Sequence, residues 1–147
     1  MYVRQRSRQE GFTLIELTVV LIILGLLAAI VGPRLFSKVG KGKQVAAASQ
    51  MKIIEQALDQ YRLDTGNYPA TEQGLNALQA NPGADGWDGP YLKKGVPKDP
   101  WGRPYNYQCP GSHDEFDLYT YGKDGTPGGE GESKEIDNWE DNNSQKP

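Results

Sequence analysis

Residues 11–32 read Gly11-Phe12-Thr13-Leu14-Ile15-Glu16-Leu17-Thr18-Val19-Val20-Leu21-Ile22-Ile23-Leu24-Gly25-Leu26-Leu27-Ala28-Ala29-Ile30-Val31-Gly32. From Phe12 to Gly32 there are 21 residues, and only Glu16 among them is ionisable. As an α-helix rising about 1.5 Å per residue, such a run reaches about 31 Å, enough to cross the hydrocarbon core of a bilayer. The apolar residues run all round the helix instead of forming one stripe, which predicts a lipid-facing segment. A carboxylate inside it costs roughly 2.5–3.5 kcal/mol on insertion scales, so Glu16 calls for a partner.

The flanks decide what kind of segment this is. Residues 1–10 carry Arg4, Arg6 and Arg8 against Glu10. A positive flank stays cytoplasmic, which places the C-terminal part outside the cytoplasm. A secretory signal has its small-residue cleavage site after the apolar run. Here the run ends in Ala28-Ala29-Ile30-Val31-Gly32-Pro33 with no polar spacer, and the conspicuous junction, Gly11-Phe12, lies before it. A short basic leader, then Gly-Phe-Thr-Leu-Ile-Glu, then an unbroken apolar helix resembles the class III signal of type IV pilins and pseudopilins. The resemblance implies cleavage between Gly11 and Phe12 by a membrane prepilin peptidase, N-methylation of Phe12, and a role for Glu16 in guiding subunit assembly. Electrostatics agrees: cleavage leaves an α-amino cation on Phe12, and a neighbouring subunit's Glu16 is its natural counter-ion. Removing one member of such a pair strands the other at a cost of several kcal/mol.

The chain has 147 residues, room for one modest domain and an anchor. Its formal charge is −3, and loss of the leader, with three arginines against one glutamate, makes it −5. That balance disfavours nucleic acid, which requires a basic patch. Glycine (18) and proline (10) concentrate after Gly66 and predict a loop-rich distal half. The single cysteine, Cys109, cannot form an intrachain disulfide and is expected to be buried.

Pro33 should kink or locally melt the helix, with Gly32 loosening the same point. Lys38, Lys41 and Lys43, interleaved with Gly40 and Gly42, mark emergence from the membrane as snorkelling side chains. From Val45 to Leu63 the pattern turns amphipathic: Ala47, Met51, Ile54, Leu58 and Tyr61 form one helical stripe, away from Lys52, Glu55, Asp59 and Arg62. Gly66-Asn67 is the stop signal, with Tyr68-Pro69 after it. Thr71 is expected to cap a short helix over 72–80 with Leu75 and Leu78 facing inward. Tyr91-Leu92 reads as a brief extended piece, and Lys98 to Pro104 as a tight turn with Trp101 packed. Tyr105–Cys109 and Phe116–Tyr121 read as antiparallel strands, with Phe116 and Leu118 on one face and Asp117 and Tyr119 on the other. Ile136–Trp139 is a last short extended piece, and the polar tail from Glu140 to Pro147 is frayed.

The distal blocks sharpen the resemblance. Tyr61-Arg62-Leu63-Asp64, Tyr68-Pro69-Ala70-Thr71-Glu72-Gln73-Gly74-Leu75, Asp99-Pro100-Trp101-Gly102, Phe116-Asp117-Leu118-Tyr119 and Ile136-Asp137-Asn138-Trp139 look like the major, G-type core pseudopilins of type II secretion. The likeness covers nearly all of residues 11–139. Type IV pilins share the first block but typically close their C-terminal region with a disulfide, which one cysteine cannot do. The family implies an α+β, type IV pilin-like fold: a long N-terminal helix, half transmembrane and half amphipathic, packed on a small antiparallel sheet with a loop-rich C-terminal region. The division is a leader over 1–11, a transmembrane and assembly helix over 12–35, a periplasmic domain over 36–139 and a tail over 140–147. In that family, the region near Pro33 can unwind in the filament.

The resemblance also implies a structural calcium ion in the loop from Tyr121 to Ile136. Calcium takes six to eight oxygens from carboxylates and carbonyls. Asp124 matches the family's first carboxylate, with main-chain oxygens of Tyr121 and Thr126 nearby. Where the family usually supplies aspartates, this chain has Ser133 and Glu135 around Lys134; Glu130, Glu132 or Asp137 could substitute. From the residues alone, a solvated acidic loop stands as the alternative. Catalysis has no support: the sole histidine, His113, lies in a loop beside Asp114 and Glu115 with no assembled nucleophile and base. Trp87, Trp101, Trp139 and eight tyrosines raise carbohydrate binding, but in a small glycine-rich domain they read as core.

The expected protein is therefore a structural subunit and not an enzyme. The family implies a bacterial inner-membrane protein, single-pass, with its C-terminal domain in the periplasm, held in lipid before assembly. It implies a homopolymer, minor pseudopilins, a prepilin peptidase and an inner-membrane platform with its ATPase as partners. Extension of the filament would drive folded proteins across the outer membrane. A surface or conductive type IV pilin, and a membrane-anchored binding or enzymatic domain that never polymerises, are the rival readings.

Overall fold

The computed structural model describes residues 11–140; the leader and the tail beyond Glu140 lie outside the described residues. The chain divides into two units at Ser37–Lys38. Helix α1, Leu14–Thr65, contributes to both, and Pro33 lies inside it.

In the first unit, α1 carries the all-round apolar surface that its sequence dictates. Phe12 is 92% exposed and Leu14 86%, while Leu17, Leu21, Ile22, Leu24, Leu26, Leu27 and Ile30 are all exposed. By length and composition this helix can cross a membrane, and none of its apolar window is buried within the chain.

In the second unit, α1 behaves as an amphipathic helix. Ala47, Met51, Ile54, Ala57, Leu58 and Tyr61 are buried, whereas Lys52, Asp59 and Arg62 are exposed. The stop falls where expected: α1 ends at Thr65, and Gly66 takes φ of 89° and donates its N–H to the Arg62 carbonyl at 2.8 Å. A left-handed residue after the last turn is available to glycine without Cβ strain.

Three short strands face this helix: β1 (Asn106–Gln108), β2 (Asp117–Thr120) and β3 (Ile136–Asp137). They form an antiparallel sheet in the order β1-β2-β3, with Tyr107 opposite Leu118 and Thr120 opposite Ile136. The core joins Ile54, Leu58 and Tyr61 of α1 to Leu75, Leu78, Leu92, Tyr105, Phe116 and Leu118. Tyr105 sends its hydroxyl back to α1, 2.6 Å from Gln50 Oε1. Tyr68 and Tyr107 pack against Phe116 with ring centroids at 4.7 and 5.9 Å.

Three local expectations are corrected. The helix expected over 72–80 is a turn followed by a 3₁₀ segment, Gly74–Leu78. Thr71 does not cap it: its hydroxyl donates to the Cys109 carbonyl and accepts from the Cys109 N–H, both at 2.9 Å. Gln73 supplies the local bond instead, accepting the Ala70 N–H at 2.9 Å. Leu75 and Leu78 still point inward. Tyr91-Leu92 is a bend, tied by the Tyr91 N–H to the Leu78 carbonyl at 2.8 Å. Cys109 is half-buried instead of fully enclosed, with its thiol 3.6 Å from the Glu115 carbonyl.

The tight turn of 98–104 is present and has a visible cause. Asp99 is buried, and its Oδ1 accepts from the N–H groups of Trp101 (3.0 Å) and Arg103 (2.8 Å). Its Oδ2 takes the Thr120 hydroxyl at 2.6 Å, joining the turn to β2. A buried carboxylate is tolerated when each oxygen is hydrogen-bonded in this way. On β2, Asp117 is buried too: it accepts from Ser112 N (2.8 Å) and His113 N (3.1 Å) and lies 3.0 Å from His113 Nδ1.

Candidate functional site

The N-terminal site is built on the start of α1. Gly11, Phe12 and Thr13 precede the helix in non-helical conformation and are exposed, so the Gly11–Phe12 peptide bond is accessible. Thr13 and Glu16 form a reciprocal pair. Glu16 Oε2 accepts the Thr13 N–H at 2.8 Å and its hydroxyl at 2.9 Å, while Thr13 Oγ1 accepts the Glu16 N–H at 3.3 Å. This is a capping box, which satisfies orphan N–H groups at the helix start. Sequence reading assigned Glu16 and missed Thr13; the Thr-x-x-Glu spacing was the signal. Phe12, Ile15, Glu16, Val19 and Val20 line one flank of the helix, so the carboxylate sits in an apolar strip with only Thr13 donating to it among the described residues.

The distal site is the loop from Tyr121 to Glu135. Asp124 Oδ1 accepts the Thr126 N–H at 3.2 Å. That bond, helped by the Ser133 side chain, holds its carboxyl below the ordinary carboxylate value. Asp124, Thr126 and Ser133 are thus brought together. Glu135 is not brought to them. Burial pushes its carboxyl up, the Asp137 charge adds to the shift, and the Gly128 N–H opposes it. Among the described residues, no group of three or more His, Cys, Asp or Glu side chains is placed to share a metal ion. One carboxylate and two hydroxyls, with the main-chain oxygens of Tyr121 and Thr126 added, make five ligands, short of the six to eight oxygens that calcium takes. The side chains named for calcium therefore do not fit it as they stand.

What crosses the loop instead is Arg103, which sequence reading did not single out. Its Nη1 donates to the Gly122 carbonyl at 2.5 Å and its Nη2 to the Lys123 carbonyl at 2.6 Å. Lys123 closes the far side: its N–H reaches the Glu132 carbonyl at 3.0 Å and its Nζ lies 3.0 Å from Glu132 Oε2. Gln44 of α1 donates to the Gly131 carbonyl. Beyond the loop, Asn138 continues the sheet by side chain as well as backbone. Its Oδ1 accepts the Leu118 N–H at 2.8 Å, its Nδ2 donates to the Phe116 carbonyl at 3.0 Å, and its own N–H meets the Leu118 carbonyl at 3.1 Å. Trp139 stacks on His113 with centroids 4.2 Å apart.

Comparison with known proteins agrees with both ends of this description. Residues 34–139 match the family model for type II secretion system (T2SS), protein G, and residues 6–32 match the prokaryotic N-terminal methylation motif. The type II secretion system core protein G of Pseudomonas aeruginosa is 49% identical over 142 residues, covering 92% of this chain and 99% of that protein. The core protein G of Vibrio cholerae is 44% identical over 140 residues, covering 92% and 95% respectively. The crystal structure of the major pseudopilin from the type 2 secretion system of enterohaemorrhagic Escherichia coli superposes with a TM-score of 0.60 at 34% identity. That match covers 74% of this chain and 96% of the other. The helix with its exposed apolar end, the three-stranded sheet and these matches together place the chain in the type II secretion system protein G family.

Proposed function

We propose that this chain is the major structural subunit of a type II secretion pseudopilus, cut between Gly11 and Phe12 and N-methylated on Phe12. The observation that carries the reading is an apolar helix end with none of its window buried within the chain and one carboxylate set into it. Such a surface is stable only in lipid or against other apolar helices. Lipid serves before assembly, and a bundle of identical helices serves after it.

Cleavage supplies the charge that the bundle needs. The new α-amino group of Phe12 is a cation, and Glu16 Oε1 takes neither of the Thr13 bonds. An incoming protomer's amine engages that carboxylate, so that two charges enter hydrocarbon as a pair. Loosening near Pro33 would let the domains tile outside the helical bundle. The inner-membrane platform with its ATPase supplies the energy, minor pseudopilins complete the filament, and the periplasmic domains push cargo outward. The role of this chain is structural. A surface type IV pilin is the weaker reading, since the match to protein G extends through residue 139.

Mass spectrometry of the membrane-extracted protein tests the processing step. The expected N-terminus is Phe12 carrying one methyl group, and an unprocessed Met1 or a cut elsewhere would overturn it. Glu16→Gln tests assembly: filaments and export are expected to be lost while the protein still accumulates, cleaved, in the membrane.

A further inference from the structure

We propose that Arg103 is the cation that closes the 121–135 loop of this chain, in the place where the resemblance implies calcium. The loop needs a tie of some kind. Five of the ten residues from Gly122 to Gly131 inclusive are glycine, and ordering so permissive a backbone carries a large entropy cost. A divalent ion is one way to offset that cost, by drawing carbonyls and carboxylates to a common centre. A guanidinium that donates to two successive carbonyls is another.

Four observations favour the guanidinium. First, its fork is engaged: Nη1 on the Gly122 carbonyl at 2.5 Å and Nη2 on the Lys123 carbonyl at 2.6 Å. Second, its backbone is fixed from below, because buried Asp99 accepts the Arg103 N–H at 2.8 Å and anchors the same turn to Thr120. Third, space is reserved for it. Gly125 has φ of 71°, and a Cβ there would stand 2.6 Å from Arg103 Cζ. Fourth, Glu132, an acid that could have substituted in a calcium cage, is already paired with Lys123 at 3.0 Å. A doubly charged ion entering beside the guanidinium would also meet a like charge. The loop therefore has its cation covalently attached, and its order does not depend on the calcium level outside the cytoplasm.

Hydrogen–deuterium exchange on the processed full-length chain in detergent micelles tests this. It reads the loop before any filament forms, so its outcome is separate from that of the assembly experiment. Amides of 122–134 in the wild type should exchange at the same rate in EDTA and at about 1 mM calcium, a level at which weak extracellular sites fill. Arg103→Gln should speed that exchange by about tenfold or more, since hydrogen bonds from a charged group are individually strong. Protection of the α1 core residues around Ile54 and Leu58 should hold. Arg103→Lys, which keeps the charge and loses the fork, should fall between the two. Loop protection that rises with calcium in the wild type, or an Arg103→Gln loop that exchanges like wild type, would overturn the proposal. Should Arg103→Gln fail to fold, calorimetric titration of the wild type with calcium decides: binding heat overturns the proposal, and its absence at about 1 mM supports it.

Discussion

At the scale of single residues, the consequential arrangement is Thr13 with Glu16. The carboxylate that the assembled filament would use is already occupied in the isolated chain, capping its own helix through two bonds to Oε2. Thr13→Ala removes one of those donors and the acceptor for the Glu16 N–H. Loss of an N-cap is worth about 1 kcal/mol, so the first turn of α1 should fray about fivefold more, read as faster amide exchange over 14–17. Asp117 makes a second, independent case. Burial pushes its carboxyl up, but the Ser112 N–H and the His113 ring and N–H outweigh burial together, and its pKa lies below the ordinary 3.8. A depressed folded-state pKa adds stability in full above the unfolded value and loses it as pH falls through the folded one. Acid unfolding should therefore steepen below about pH 4, and Asp117→Asn should blunt that dependence while costing about 1–3 kcal/mol at neutral pH. Equilibrium denaturation across pH measures both effects. Glu16 was legible from one sequence because a lone acid in hydrocarbon stands out. Arg103 was not, because its role depends on carbonyls about twenty residues away in the chain.

At the scale of elements, α1 is one helix under two rules. Its first part follows lipid and its second part follows a stripe, and the change at Val45 is visible in the spacing of Ala47, Met51, Ile54, Leu58 and Tyr61. Leu58 is fully buried at the centre of that stripe, so Leu58→Ala should cost about 2–5 kcal/mol. Thermal unfolding followed by near-UV circular dichroism would show the loss. The 3₁₀ segment Gly74–Leu78 marks where element-level reading failed. Thr71 looked like a helix cap, yet its hydroxyl is taken in both directions by Cys109. A hydroxyl bonds whichever partner the fold brings near, and propensity carries no information about a partner 38 positions on. The strands were found, each shorter than expected at its ends, because alternation survives while terminal pairing depends on the neighbouring strand.

At the scale of the whole molecule, every buried hydrophobic core residue from Met51 to Leu118 belongs to the second unit. A fragment beginning at Lys38 should therefore fold alone and remain monomeric by sedimentation, whereas the processed full chain should need detergent or polymerise. A fragment that forms stable oligomers would show that the domains, and not the apolar helices, hold the filament together. Sequence by itself determined the all-round apolar run, the lone acid set into it and the two halves of α1. Each rests on composition and on periodicities that a helix imposes locally. Tertiary structure alone decided that Thr71 straps Cys109 and that Arg103 rather than a ring of carboxylates crosses the distal loop. Those choices rest on which donors and acceptors the folded backbone brings within 3 Å of one another, and for the distant pairs no spacing in the chain encodes that distance.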